Sequence, residues 1–252
     1  MNTLKIVKQS VEKSDSRFDL WISLVKSSKV KTMAEVGVYK GDFAYRLLQK
    51  CDSIEKYYMI DPWRHLKDWN KPANKNDNIF EQFFLEAKEK TSFAADKTTI
   101  LRGKTTEVVN KIPNSALDFA YIDGDHTLKG ITIDLICLFD KIRVGGWIGG
   151  DDFSSSIWQH TPNYEPTLIF PFAVYFAEAV GAKIYALPYS QFLIEKNEVE
   201  SFSFVDLTGR YNHLELKSQF NPLKIMKIKM MDISSFITGL MIRAKTESGN
   251  NR

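Results

Sequence analysis

Leu117-Asp-Phe-Ala-Tyr-Ile-Asp123-Gly-Asp125-His126, answered about two dozen residues later by Gly149-Gly-Asp151-Asp152-Phe153, is the stretch that decides the fold. Each segment is an apolar run that ends abruptly in acids. That pattern predicts a buried strand delivering carboxylates at its carboxyl end, the edge at which open α/β sheets bind ligands. Neighbouring strands lie only about 4.8 Å apart, so Asp123, Asp151 and Asp152 are expected to converge. Three converging acids repel one another unless a cation or protons intervene.

Strand and helix patterns alternate outward from this pair. Met33-Ala-Glu-Val-Gly-Val38 reads as a first strand, Asp42 to Lys50 as a helix, Tyr57 to Asp61 as a second strand closed by Pro62, and Thr98 to Arg102 as a third. The two acid-ended segments are the fourth and fifth strands. Between them Leu128, Ile131, Leu135, Leu138 and Ile142 recur at helical spacing. After a helix around Thr167 to Val180, Ala182 to Leu187 and Gln191 to Glu195 flank Pro188-Tyr-Ser190 and read as a hairpin. The expected fold class is therefore α/β, a doubly wound, mostly parallel seven-stranded sheet ending in a C-terminal antiparallel hairpin. The organisation is read as a helical cap over 1–30, a ligand-binding domain over 31–200 and an extension over 201–252.

Composition is consistent with one globular domain of 252 residues with 44% hydrophobic and 26% charged residues. The net charge of +3 does not point to nucleic acid. From Lys217 to Arg252 there are seven Lys/Arg against two acids, so the charge concentrates in the extension. Cys51 and Cys137, the only cysteines, sit beside apolar neighbours and read as reduced thiols. With no signal-peptide pattern and no apolar run near the roughly 20 residues of a membrane span, the expectation is a soluble, cytoplasmic protein.

Glu35-Val-Gly37-Val-Tyr39-Lys-Gly41 joins the first strand to its helix. Glycines there permit a tight turn or a close approach to a ligand at the helix start, and both readings are open. Asp61 at the next strand end can accept hydrogen bonds from ribose hydroxyls, which favours a nucleoside-containing ligand. The absence of GxGxxG favours an adenosyl ligand without pyrophosphate. Gly103-Lys104-Thr105 at the third strand end is placed to border an adenine. Oxygen-only ligands from Asp123, Asp151 and Asp152 suit a hard cation such as Mg²⁺. His126 follows them directly and reads either as a proton acceptor or as an anchor of the next helix.

Taken together these motifs resemble class I S-adenosylmethionine-dependent methyltransferases, in the branch of macrocin O-methyltransferase-like enzymes and, more distantly, catechol O-methyltransferase. The resemblance covers about residues 30 to 196. Ala34-Glu-Val-Gly-Val-Tyr-Lys-Gly41 is similar to the family's first motif and Tyr58-Met-Ile-Asp-Pro-Trp63 to its second-strand acid. Asp118 to His126, followed by Gly145-Gly-Trp-Ile-Gly-Gly-Asp-Asp-Phe153, is the most specific part. The resemblance implies a Rossmann-like fold, with Glu35, Gly37, Tyr39 and Gly41 around the methionine end of S-adenosylmethionine and Asp61 on its ribose. It places Lys104 and Thr105 beside the adenine, with Asp123 close to the cofactor. A divalent metal, expected to be Mg²⁺, would lie on Asp123, Asp151 and Asp152, with His126 as general base. Asp152 stands where the catechol enzymes carry Asn, and Asp125-His126 replaces their lysine-bearing loop, which argues against catechol.

Trp63, Trp69, Trp158, His160 and Tyr164 fall in loops expected over the reactive edge. Flat aromatic faces with polar groups suit a small-molecule or sugar hydroxyl as acceptor, though packing or a homo-oligomer interface would explain them equally. The basic, apolar segments Leu223 to Met231 and Ile233 to Ile242 read as a core or interface helix, with peripheral membrane contact as the alternative. A non-methyltransferase on the same scaffold, a metal-dependent hydroxylase or hydrolase or a silent adenosyl-binding module, stays open.

Overall fold

The computed structural model describes residues 3–161, 163–199 and 201–211, together with 214, 220–223, 226 and 230. The expectations for Leu223 to Met231 and Ile233 to Ile242 fall almost entirely outside the described residues. Helices α1 (Thr3–Glu12) and α2 (Arg17–Ser27) precede β1 (Thr32–Val36). Then follow α3 (Asp42–Lys50), β2 (Lys56–Asp61), α4 (Asp77–Lys90), β3 (Thr98–Arg102), α5 (Thr105–Val108) and β4 (Leu117–Ile122). The series closes with α6 (Leu128–Phe139), β5 (Ile142–Gly150), α7 (Ile169–Ala179), β6 (Lys183–Leu187), β7 (Gln191–Glu195) and β8 (Ser203–Asp206).

The strands form one sheet in the order β3-β2-β1-β4-β5-β7-β6-β8. β1 pairs in parallel with β2 and β4, β4 with β5, and β7 runs antiparallel to both β5 and β6. The sheet has eight strands, one more than expected. The extra strand, β8, pairs in parallel with β6 at the edge. It has only four residues, all half-buried, too short for a strand pattern to register in the sequence. The connection order reverses between β1 and β4, and that switch point opens a crevice at the carboxyl ends of the two strands.

Strict alternation along the central strands builds two cores. Met33, Tyr57, Met59, Phe119 and Tyr121 face α1 to α4, while Ala34, Tyr58, Ile60, Ala120 and Ile122 face α5 to α7. Trp21 of α2 stacks on Phe119 at 5.1 Å and meets Tyr121 edge-on at 5.3 Å. Such close docking requires Gly149, because a Cβ there would lie 2.1 Å from the Trp21 indole. Side chains cap the helix starts: Ser16, Asn76 and Thr127 each accept a backbone N–H of the first turn.

Candidate active site

A cavity of about 720 Å³ opens at the switch point, running from Asp61 and Thr105 at one end to His126 and Asp152 at the other. Its near wall is the β1 turn. Gly37 adopts φ 88°, and a Cβ there would lie 2.1 Å from the Asp123 carbonyl oxygen, so only glycine lets β1 and β4 exit side by side. The same turn carries Tyr39 at φ 53°, whose N–H donates to Asp61 Oδ2 at 2.8 Å. Trp63 N–H donates to Asp61 Oδ1 at 2.7 Å. Burial, opposed by these two backbone hydrogen bonds, raises the Asp61 carboxyl to about 6.

Gly37, Tyr39, Asp61, Lys104, Thr105 and Asp123 all line the cavity. Glu35 and Gly41 do not. Glu35 is 1% exposed and accepts the Tyr57 hydroxyl at 2.7 Å. Burial, only partly opposed by that hydrogen bond, pushes its carboxyl to about 8, so it is held protonated at neutral pH. Gly41, at φ 79°, serves packing: a Cβ would meet Ala87 of α4 at 2.9 Å.

At the reactive end the acids occur in a chain of alternating charge. His126 places Nδ1 against Asp152 Oδ2, while Nε2 lies 3.5 Å from Asp123 Oδ1 and has no hydrogen-bond partner. Burial works against the imidazolium, but the adjoining Asp123 and Asp152 more than offset it and hold His126 up at about 9. Burial likewise works to raise Asp152, and contact with His126 outweighs it, holding that carboxyl below its usual range. Arg17, from the first turn of α2, directs Nη1 between Asp151 Oδ2, which it pairs directly, and Asp123 Oδ2 at 3.4 Å.

The acids expected to hold a metal are engaged by protein partners in this structure. Asp151 has both oxygens engaged, Oδ2 by Arg17 and Oδ1 by Gln191 Nε2 at 2.5 Å and the Asp152 N–H at 2.8 Å. Asp152 is committed to His126, and Asp151 does not line the cavity. Among the described residues, no group of three or more His, Cys, Asp or Glu is arranged to hold a metal ion. Arg17 and His126 bring positive charge against these convergent acids.

Of the aromatic residues expected over the reactive edge, Trp69 and His160 line the cavity. Trp63 does not: it is fully buried, its indole N–H donates to the Tyr39 carbonyl at 2.7 Å, and it packs edge-on against Phe84. Trp158 and Tyr164 also lie outside the lining, and Tyr164 meets His160 edge-on at 6.2 Å. The loops that carry these residues are stitched together by Lys71, whose ammonium donates to the carbonyls of Glu165 and Pro166 at 2.7 and 3.2 Å and to Thr167 Oγ1 at 3.2 Å. Trp69 Nε1 is buried without a partner.

Sequence reasoning missed Arg17, Lys71, Gln191 and Asp134. Asp134 lines the cavity and accepts Thr105 Oγ1 at 2.5 Å, and burial raises its carboxyl to about 7. Its signal was legible, since it falls on the apolar stripe of Ile131, Leu135 and Leu138, where an unpaired acid is out of place. Arg17 and Gln191 carried no comparable mark.

Residues 34–153 match a family model described as a methyltransferase domain. No curated protein matches the chain. Among solved structures the chain is similar to cofactor-bound Rv0187 from MTB, at 12% identity and a TM-score of 0.55, covering 78% of this chain and 90% of that one. It is similar also to a putative caffeoyl-CoA O-methyltransferase from Staphylococcus aureus (12% identity, TM-score 0.54, 77% and 93% covered). A third is the O-methyltransferase TomG from Streptomyces achromogenes, solved in complex with SAM (12% identity, TM-score 0.51, 78% and 90% covered). At such identity these likenesses establish a shared fold.

Proposed function

We propose that this chain is a class I S-adenosylmethionine-dependent methyltransferase acting on a hydroxyl of a small molecule or sugar, with His126 taking the hydroxyl proton. The methyltransferase-domain match and the fold shared with O-methyltransferases support the class. The observation that carries the reading is one continuous cavity joining a nucleoside-type cradle to a buried, carboxylate-held histidine.

The cradle suits the cofactor. Gly37 lets the β1 turn pass directly against the backbone of Asp123, and Asp61 retains lone pairs for ribose hydroxyls beyond the two N–H groups it accepts. Lys104 and Thr105 flank the position for an adenine, beside the buried Asp134 carboxyl. When bound, S-adenosylmethionine would supply an electrophilic methyl group on a sulfonium sulfur.

The chain's own residues account for the proton. With Nδ1 engaged by Asp152, the neutral imidazole carries its proton on Nδ1 and leaves Nε2, on the Asp123 side, as the basic nitrogen. Nε2 then takes the acceptor's proton as its oxygen is alkylated, and Asp123 and Asp152 stabilise the imidazolium that forms. Holding the imidazole at about 9 makes it a stronger base than a free histidine, at the cost of a smaller neutral fraction at pH 7. Trp69 and His160 line the cavity with flat aromatic rings, which suits a sugar-like acceptor.

Isothermal titration with S-adenosylmethionine tests the first half; no heat of binding would refute the reading. Labelled methyl transfer to a panel of hydroxylated sugars, phenols and lipid-linked glycans tests the second. His126→Ala is expected to leave cofactor affinity within a few-fold while lowering turnover by about 10²–10⁴.

A further inference from the structure

The geometry points to Arg17 as a built-in replacement for a divalent cation: its guanidinium occupies the position between Asp123 and Asp151 that a metal would need, making the site independent of metal. For its activity arm this rests on the methyltransferase reading above; its binding arm does not.

Three observations carry it. Arg17 Nη1 pairs directly with Asp151 Oδ2 and stands 3.4 Å from Asp123 Oδ2, so one cation bridges the ends of β4 and β5. Ile122 and Gly150 are register partners, so Asp123 and Asp151, the residues that follow them, emerge side by side from neighbouring strands. The helix that presents Arg17 is also anchored on the far side of Asp151. Trp21, one turn after Arg17, donates its indole N–H to Gln191 Oε1 at 2.7 Å, and Gln191 Nε2 donates to Asp151 Oδ1 at 2.5 Å. Thus α2 grips Asp151 through both oxygens. A divalent ion entering here would have to expel Arg17 and strip Asp152 from His126, leaving two cations beside it.

Arg17 is accordingly a positioning residue. It does not line the cavity, and it acts through Asp123, which does. It fixes the Asp123 carboxylate opposite His126 and neutralises part of the acid cluster.

The test is Mn²⁺ binding, followed by the loss of the free-ion electron paramagnetic resonance signal, on the full chain. The wild type is expected to bind no Mn²⁺ at this site. Arg17→Met and Arg17→Gln, with folding checked by circular dichroism, are expected to gain one equivalent, lost again on adding Asp123→Asn. Stoichiometric binding by the wild type, or no gain in either folded variant, would overturn the inference. In the activity arm, EDTA should leave wild-type turnover unchanged, and inhibition reversed by Mg²⁺ would also overturn it. Cofactor titration in EDTA keeps the two ideas apart. A wild type that binds both S-adenosylmethionine and Mn²⁺ refutes only the role of Arg17, whereas one that binds neither refutes the methyltransferase reading.

Discussion

Replacing Glu35 with glutamine should reshape the pH dependence of stability without disturbing the fold. The Glu35 carboxyl is 1% exposed, accepts the Tyr57 hydroxyl at 2.7 Å and is held at about 8 against an ordinary value of 4.5. A carboxyl raised in the folded state binds its proton more tightly there than in the unfolded chain. Its contribution is therefore fully present below about 4.5 and lost as pH rises through about 8. At roughly 1.4 kcal/mol per pH unit, the total loss across that window is at most about 5 kcal/mol. Glutamine keeps the shape and an acceptor for Tyr57 but has no proton to lose. Urea unfolding of wild type and Glu35→Gln at constant ionic strength, from pH 5 to 9, isolates the group, because Asp61, Asp134 and His126 are common to both chains. The two should be within about 1 kcal/mol at pH 5, with the variant several kcal/mol more stable at pH 9. Parallel curves across the range would refute the assignment of a buried, protonated Glu35.

Gly37→Ala combines a left-handed φ with a Cβ 2.1 Å from a backbone oxygen, and should cost about 3 kcal/mol of stability and weaken cofactor binding at least about 100-fold by calorimetry. Gln191→Leu leaves the Trp21 indole, the Tyr121 hydroxyl and Asp151 each short of a partner in a buried setting, and should lower unfolding free energy by about 4 kcal/mol in denaturant titration. The pH profile of kcat/KM should rise about tenfold per unit until it bends at about 9, where His126 is half neutral, and level off above that. Asp152→Asn should move that limb to lower pH, since it removes one of the two carboxylates that raise the histidine.

Where the sequence was legible, one kind of signal was responsible. Period-two alternation in β1, β2 and β4, with acids or glycine at the strand ends, depends only on local chemistry, and it located Gly37, Asp61, Asp123, His126 and Asp152 at the edge that the sheet order opens. What could not be read depends on partners far along the chain. Arg17 reads as an ordinary polar residue at a helix start, and its meaning comes from Asp151. The Gly149-Gly150 pair reads as the end of a strand, with no sign of why glycine is needed there. Both glycines are buried in β5, where a Cβ at Gly149 would strike Trp21 and one at Gly150 would lie 2.5 Å from the Ile122 carbonyl oxygen. Trp63 reads equally as an acceptor platform or as packing, and its φ of 41° turns the ring into the core. The acid cluster showed that positive charge was needed, and of the two cationic side chains beside it His126, three residues from Asp123, was legible, while Arg17 lies 106 positions away.

That separation also sets when the site comes into being as the chain folds. Arg17 meets Asp123 across 106 positions and Trp21 meets Gln191 across 170. Contacts of such span bear the largest loop-closure cost and are expected to form late. The parallel strands can assemble a crevice with the N-terminal helices still undocked, but its acids then remain mutually repelling. Docking of α2 thus completes the fold and the electrostatic balance of the site in a single step, so a partly folded chain should be an inactive one.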